Sequence, residues 1–160
     1  MGFSLHFMPV ERDRLVEPDR AGLAAFLDTA GLAVHADGSG LYRTSDESAL
    51  SFDGSWTDLT LDPLDQDEPV TGSLAHATLT ADECSFVFGL CRAGRLMIIN
   101  AQGSPMYVGI VGVHDPAVFP DAEDAVLIDS AEELASALGR GFADFQEYRD
   151  RVLRSSEDNA

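Results

Sequence analysis

Several segments of the chain carry the apolar patterns of β-strands. In residues 3–8, Phe3, Leu5 and Phe7 alternate with Ser4, His6 and Met8, the two-residue period of a strand with one buried face. Residues 95–101 and 106–113 are apolar at nearly every position and are separated by a turn at 102–105. This pattern predicts an antiparallel hairpin whose strands are covered on both faces. A further short apolar strand is expected at 125–128.

The middle of the chain also reads as β-structure. Short strands are expected at 32–35, 41–44, 49–52 and 56–61, with a hairpin turn at 53–54. The next eight residues, 62–69, contain two prolines and four acidic residues, which predicts a solvated loop.

Two segments carry helix signals at their ends. In residues 18–31, Pro18 suits the first helical position and Gly31 suits the left-handed position after the end, while Leu23 and Leu27 begin an apolar face. Residues 81–93 are ambiguous. Thr80 and Glu83 form a capping box and Gly94 follows, but the run 86–88 (Phe-Val-Phe) favours a strand in a three-stranded meander. Because the signals at both ends agree, we favour the helix.

The last element is predicted to be a long amphipathic helix packed on the sheet. Residues 130–133 form a capping box, and about 24 residues of helix would span about 36 Å. Its apolar face is Leu134, Leu138, Phe142, Phe145, Tyr148 and Val152. We therefore expect a single α+β domain over residues 1–154, with a mixed, largely antiparallel sheet, two or three helices, and a disordered tail at 155–160.

Composition narrows the classes of partner. The 160 residues include 28 acids and ten bases, all of them arginine, for a formal charge of −18. This charge argues against nucleic acid or an anionic membrane surface as a partner, because such binding requires clustered Lys and Arg. A bias toward GC-rich codons would explain the absence of lysine. With no basic leader and no long apolar stretch, we expect a bacterial cytoplasmic protein.

Residue types that carry chemistry are present but scattered. The pair His114-Asp115 is the most suggestive of the four histidines, yet it also reads as a turn. Cys84 and Cys91 lie on one apolar stripe of the helix at 81–93 and are expected to be reduced and buried. The glycine pairs lack the flanking pattern of a phosphate-binding loop, and the loop at 62–69 lacks the register of an EF-hand. The sequence therefore predicts no cofactor and no metal site.

The negative charge is concentrated in one part of the chain. Ten acidic residues and no Lys or Arg lie between Arg43 and Arg92, and the only tryptophan lies among them. An acidic field with an aromatic anchor suits an interface to a basic protein. The predicted partner-binding residues are Asp46, Glu47, Trp56, Asp58, Asp62, Asp65, Asp67 and Glu68.

The favoured hypothesis is thus an acidic protein-binding domain that docks a basic partner through residues 46–68. In character it is similar to small acidic immunity or inhibitor proteins that neutralise a basic toxin, an analogy without a shared motif. One alternative is a small-molecule-binding or enzymatic domain with a pocket between the central hairpin and the C-terminal helix, using His114 or His35. The other is a subunit whose role is assembly.

Overall fold

The computed structural model describes residues 3–38, 40–52 and 54–158. Two short 3₁₀ turns lie at 116–118 and 122–124. The strands and helices follow in chain order: β1 (Leu5–Met8), β2 (Val10–Glu11), β3 (Arg14–Leu15), α1 (Arg20–Ala30), β4 (Leu32–Val34), β5 (Leu41–Arg43), β6 (Ser51–Phe52), β7 (Ser55–Trp56), β8 (Asp58–Leu61), β9 (Gly72–Ala75), α2 (Ala81–Gly94), β10 (Met97–Ile99), β11 (Tyr107–Ile110), β12 (Ala125–Ile128) and α3 (Ala131–Asp158).

A six-stranded sheet in the order β12-β11-β10-β1-β9-β8 forms the centre of the fold. Neighbouring strands are antiparallel except β11 and β12, which are parallel, so the α+β class with a mixed sheet is confirmed. The hairpin of β10 and β11 is also confirmed, and all three residues of β10 are buried, as expected of a strand covered on both faces. The hairpin expected around 53–54 is present as β6 and β7, although Asp53 itself lies outside the described residues.

Strand β9 has no counterpart among the predicted strands. Its sequence, Gly-Ser-Leu-Ala, offers one large apolar side chain, Leu74, which is buried. A Cβ atom on Gly72 would lie 2.7 Å from the carbonyl oxygen of Thr60, so β9 can approach β8 this closely only with glycine there. Glycine at position 72 weakens the strand pattern in the sequence, but it also allows β9 to pair with β8.

Helix α1 begins two positions later than the sequence suggested, at Arg20 and not at Pro18. Asp19 caps the helix, its carboxylate accepting the backbone N–H of Gly22 at 2.8 Å, so Pro18 precedes the cap and is not the first helical residue. The carboxylate of Asp19 provides the N-terminal hydrogen bond directly. The end of α1 is as predicted, with Gly31 in the left-handed conformation at φ 70°.

The ambiguous segment is helical. Thr80 caps α2 by accepting the backbone N–H of Glu83, and the helix ends after Gly94 with Arg95 in the left-handed conformation. The carboxylate of Glu83 is buried and accepts backbone N–H groups from Thr78 (2.9 Å) and Leu79 (2.6 Å). The meander alternative for residues 81–93 is thus wrong, because these capping bonds outweigh the strand preference of the Phe-Val-Phe run.

The expectation of a long C-terminal helix packed along the sheet is not supported. Among the described side chains of α3, those that are buried are Leu134 and Leu138, in the first two turns, and Val152 is 43% exposed. A 28-residue helix spans about 42 Å, whereas six strands span about 24 Å, so the sheet cannot cover it. Helix α3 packs chiefly on α2 and less on β12.

Part of the predicted C-terminus falls outside the described residues. The side chains of Phe142, Phe145 and Tyr148 are not among those described, nor are residues 159–160. Residues 155–158, expected to belong to a disordered tail, continue helix α3.

Candidate interaction site

The acidic loop, residues 62–69, is fastened to the protein by Arg20 from the first turn of α1. The guanidinium of Arg20 donates hydrogen bonds to the backbone carbonyl oxygens of Leu64 (2.9 Å) and Glu68 (2.9 Å), and also to that of Gln66. A guanidinium presents five donors in a fixed planar arrangement, so one side chain can bind several backbone carbonyl groups at once. The loop therefore wraps its carbonyl groups around a cation that is distant in sequence.

The positive charge of Arg20 is balanced by Glu17, which lies outside the acidic loop. Glu17 accepts a hydrogen bond from the Arg20 guanidinium, which raises the pKa of Arg20 against the opposing effect of burial, and the negative charges of Asp67 and Asp65 raise it further. No hydrogen bond or ion pair engages the Asp65 and Asp67 carboxylates among the described residues. The loop therefore binds Arg20 through its backbone carbonyl groups, Glu17 supplies the paired negative charge, and Asp65 and Asp67 stay exposed.

A second group of hydrogen bonds, all to Asp62, holds the two ends of the acidic loop together. The half-buried carboxylate of Asp62 accepts from the backbone N–H of Thr71 (3.0 Å), from the Thr71 hydroxyl (3.1 Å) and from the side-chain amide of Gln66 (3.2 Å). The loop is thus held at Asp62 from one side and at Arg20 from the other. Asp62 has a structural role that its place in an acidic run did not reveal.

The loop presents three exposed acids on this fastened backbone. Asp65, Asp67 and Glu68 are all exposed, and their carboxylates make no hydrogen bond within the part of the chain that the structure describes. A loop whose conformation is already fixed loses little entropy when it docks. We call this group the loop acids.

The other predicted partner-binding residues lie in separate places. Asp46 accepts from the backbone N–H (3.0 Å) and hydroxyl (2.6 Å) of Ser48, which lowers the pKa of Asp46 and organises its own turn. Glu47 beside it is exposed, with φ 61°. The carboxylate of Asp58 on β8 pairs with Nδ1 of His76 at 2.5 Å.

Trp56 is the most exposed large apolar side chain among those described. It lies on β7, pairs across the hairpin with Ser51, and is 69% exposed. A tryptophan so exposed contributes little to a core. Within the part of the chain that the structure describes, five of the eight predicted residues are on the surface and their side chains make no internal hydrogen bond, namely Glu47, Trp56, Asp65, Asp67 and Glu68.

An apolar groove of about 500 Å³ lies next to the acidic loop, between α1, β4 and residues 63–65. The side chains of Leu27 and Leu32 form its buried floor, and Ala24 and Ala36 line its exposed rim. The charged side chains lining it are Asp28 from α1 and Asp65 from the loop. We call this feature the acidic groove, and no pattern in the sequence indicated that these segments meet.

The pocket expected between the central hairpin and the C-terminal helix does not contain the histidines proposed for it. An open groove of about 560 Å³ lies near the β10–β11 turn, β12 and the start of α3, but its lining includes Ser104, Glu123 and Ser136 and neither His114 nor His35. The ring of His35 packs on Tyr42 at a centroid distance of 4.5 Å.

His114 is held inside a different part of the fold. Its Nδ1 accepts the backbone N–H of Ile110 at 2.9 Å, so in the neutral ring Nε2 carries the hydrogen. Burial lowers the pKa of His114, an effect that the backbone of Arg95 partly offsets. The ring lines a cavity of about 170 Å³ with Arg95, Val10 and Val118.

Both cysteines are free and buried, as expected. Burial raises the pKa of Cys84 to about 11 and also raises that of Cys91, which keeps both thiols protonated near neutral pH and disfavours nucleophilic chemistry. Within residues 3–38, 40–52 and 54–158, no three His, Cys, Asp or Glu side chains are grouped so that they could hold a metal ion. No helix in these ranges is both long enough and apolar enough to cross a membrane.

Comparison with known proteins gives no match: no family model, no curated protein and no solved structure is similar to this chain.

Proposed function

We propose that this protein is an acidic, cytoplasmic protein-binding domain that docks a basic protein through the loop acids. The observation that carries the proposal is the internal fastening of the acidic loop by Arg20, which leaves the carboxylates of Asp65, Asp67 and Glu68 exposed. Clustered carboxylates on a fixed backbone attract a cationic surface and accept its Arg and Lys donors without first having to become ordered.

Trp56 supplies the aromatic contact in this proposal. Tryptophan is enriched among the residues that dominate binding energy at interfaces, because it buries a large area and keeps a hydrogen-bond donor. Its 69% exposure leaves that area uncovered in the isolated chain. Glu47 adds a further exposed negative charge, whereas Asp46, Asp58 and Asp62 act mainly through their internal bonds.

The mode of action we propose is neutralisation of a basic protein by masking its cationic surface, as small acidic immunity or inhibitor proteins do. The overall charge of −18 supports this, because it accelerates encounter with a cationic partner and disfavours nucleic acid as a competitor.

Quantitative capture from a bacterial lysate tests the proposal. The wild-type chain, the triple variant D65N/D67N/E68Q and the control D13N/E132Q/E147Q are immobilised in equal amounts, and the retained proteins are measured by mass spectrometry. The control removes the same number of exposed carboxylates elsewhere on the surface. We expect at least one protein with a pI above about 9 to be retained by the wild type and the control and to fall about tenfold with the loop variant.

Equal retention by the loop variant and the control would show that the loop acids do not form the docking surface. Absence of any retained basic protein would also overturn the proposal. Trp56→Ser, which leaves charge unchanged, is expected to weaken retention of the same partner without lowering the thermal stability of the domain.

A further inference from the structure

We infer that the acidic groove receives an apolar side chain of the partner that has a basic residue on each side. The inference rests on the proposed function, and it specifies the chemistry of the segment that the partner presents. Its basis is the coincidence, in one groove, of an apolar floor and of carboxylates on two different walls, Asp28 and Asp65.

The floor of the groove defines the apolar part of the ligand. Leu27 and Leu32 are 3% and 5% exposed, and Ala33, Val34 and Pro63 extend the apolar surface beside them. A groove of about 500 Å³ is large enough for an aromatic or long aliphatic side chain together with adjoining backbone. Burying such a side chain removes apolar area from water and supplies affinity that charge alone does not.

The walls define the charge of the ligand. Asp28 and Asp65 are exposed, and Arg20 on α1 is already occupied by the loop carbonyl groups and Glu17. Arg43, which pairs with Leu32 across β4 and β5, is not among the residues that line the groove. Asp28 also lies in the last turn of α1, which contains no basic residue, and the negative end of a helix dipole disfavours an acid there. The negative potential of the helix end therefore adds to that of the carboxylates and favours a cation.

The same electrostatics exclude the other possible occupants. A second copy of this chain would bring a further charge of −18 to an already acidic groove. An anionic membrane surface would be repelled in the same way. A basic segment of another protein is the occupant whose charge is complementary.

Amide chemical-shift mapping with blocked peptides tests the inference on the full chain. The probes are the acetylated and amidated peptides Gly-Arg-Phe-Arg-Gly, Gly-Arg-Ser-Arg-Gly and Gly-Glu-Phe-Glu-Gly. We expect the Arg-Phe-Arg peptide to shift the amides of Ala24, Ala33, Thr44 and Leu64, and to bind at least about tenfold more tightly than the serine peptide, because phenylalanine burial contributes more than one decade. The Glu-Phe-Glu peptide is expected not to bind.

Two adjacent positions on α1 give a matched pair of variants. Ala24 and Ala25 are both exposed helical residues, but Ala24 lines the groove and Ala25 does not. Ala24→Trp should fill the groove and weaken the Arg-Phe-Arg peptide about tenfold, whereas Ala25→Trp should leave its affinity unchanged. If Ala24→Trp fails to fold, Ala36→Trp at the opposite rim serves the same purpose.

The possible outcomes distinguish binding in the acidic groove from binding to the loop acids alone. Equal affinity for the phenylalanine and serine peptides, with shifts confined to residues 65–68, would overturn the groove inference and leave the loop acids as the docking surface. No shift with any peptide would overturn the groove inference as well, while the capture experiment would still decide the proposed function. A concentration-dependent dimer that Ala24→Trp abolishes would assign the groove to a second copy and overturn the inference.

Discussion

The guanidinium of Arg20 donates a hydrogen bond of 2.9 Å to the backbone carbonyl oxygen of Leu64, 44 residues further along the chain. The same guanidinium also donates to the backbone carbonyl oxygens of Gln66 and Glu68. These bonds connect the start of α1 to a loop whose acidic side chains repel one another. The conformation of the acidic surface therefore depends on a residue outside it.

Arg20→Ala is expected to loosen the acidic loop while leaving the sheet intact. Without the guanidinium, three carbonyl groups lose their charged donor and the loop acids repel one another with no cation among them. Hydrogen exchange should become faster at the backbone amides of residues 66–68, 70 and 71 and stay unchanged in β10 and β11. Arg20→Lys should show an intermediate effect, because an ammonium group cannot reproduce the planar arrangement of donors.

The exposed Arg14 on β3 provides the control for this experiment. Arg14→Ala removes the same charge without touching the loop, so exchange at the same loop amides should stay as in the wild type. Similar acceleration in both variants would show that total charge, and not the carbonyl contacts of Arg20, determines the order of the loop.

Glu83→Ala is expected to lower the free energy of unfolding by about 2 to 4 kcal/mol. The buried carboxylate accepts the backbone N–H groups of Thr78 and Leu79, and both donors would be left without a partner. Urea denaturation measures the loss. Glu83→Gln keeps an acceptor oxygen and should recover much of the stability, whereas Glu132→Ala, at an exposed first-turn position of α3, should cost well under 1 kcal/mol. An equal loss of unfolding free energy in Glu83→Ala and Glu83→Gln would contradict the role of the carboxylate as an acceptor for these two N–H groups.

The elements that the sequence predicted well are those whose signals are local. Strand β12 has the predicted bounds of 125–128, and α2 is decided by contacts within five residues of Glu83. Capping groups and apolar periods act between near neighbours, so they can be read without knowing the rest of the fold.

The interaction site was only partly predictable, because its defining contacts join distant segments. The acidic run was visible in the sequence, but nothing near Arg20 indicates that its donors would meet the carbonyl groups of residues 64–68. The acidic groove likewise exists only after α1, β4 and residues 63–65 have come together. The internal roles of Asp58 and Asp62 depend on His76 and Thr71, which the sheet brings alongside them.

Gly22→Ala is expected to destabilise the protein although alanine is the better helix former. A Cβ atom at position 22 would lie 2.1 Å from the carbonyl oxygen of Ala93, a backbone atom that cannot move without separating α1 from α2. The cost should be about 1 to 3 kcal/mol in thermal or urea unfolding. Gly139→Ala is the counterpart, since nothing lies within 4 Å of its added Cβ, and it should stabilise by about 0.5 to 1 kcal/mol. A neutral Gly22→Ala would show that α1 and α2 are not in this close contact.

Finally, His114 is expected to make stability depend on pH below about pH 6.5. Burial lowers the pKa of His114 below the 6.5 of the unfolded chain, so below pH 6.5 the unfolded state binds more protons than the folded state. The contribution of the neutral ring is fully present above pH 6.5 and is lost as the pH falls through the lowered pKa. Protonating Nδ1 would also break the bond from the Ile110 N–H. NMR titration of the ring should give a midpoint below 6.5, and the free energy of unfolding should fall more steeply in the wild type than in His114→Gln. Parallel pH profiles for the two proteins would contradict the prediction, since the carboxylates common to both would then account for the whole slope.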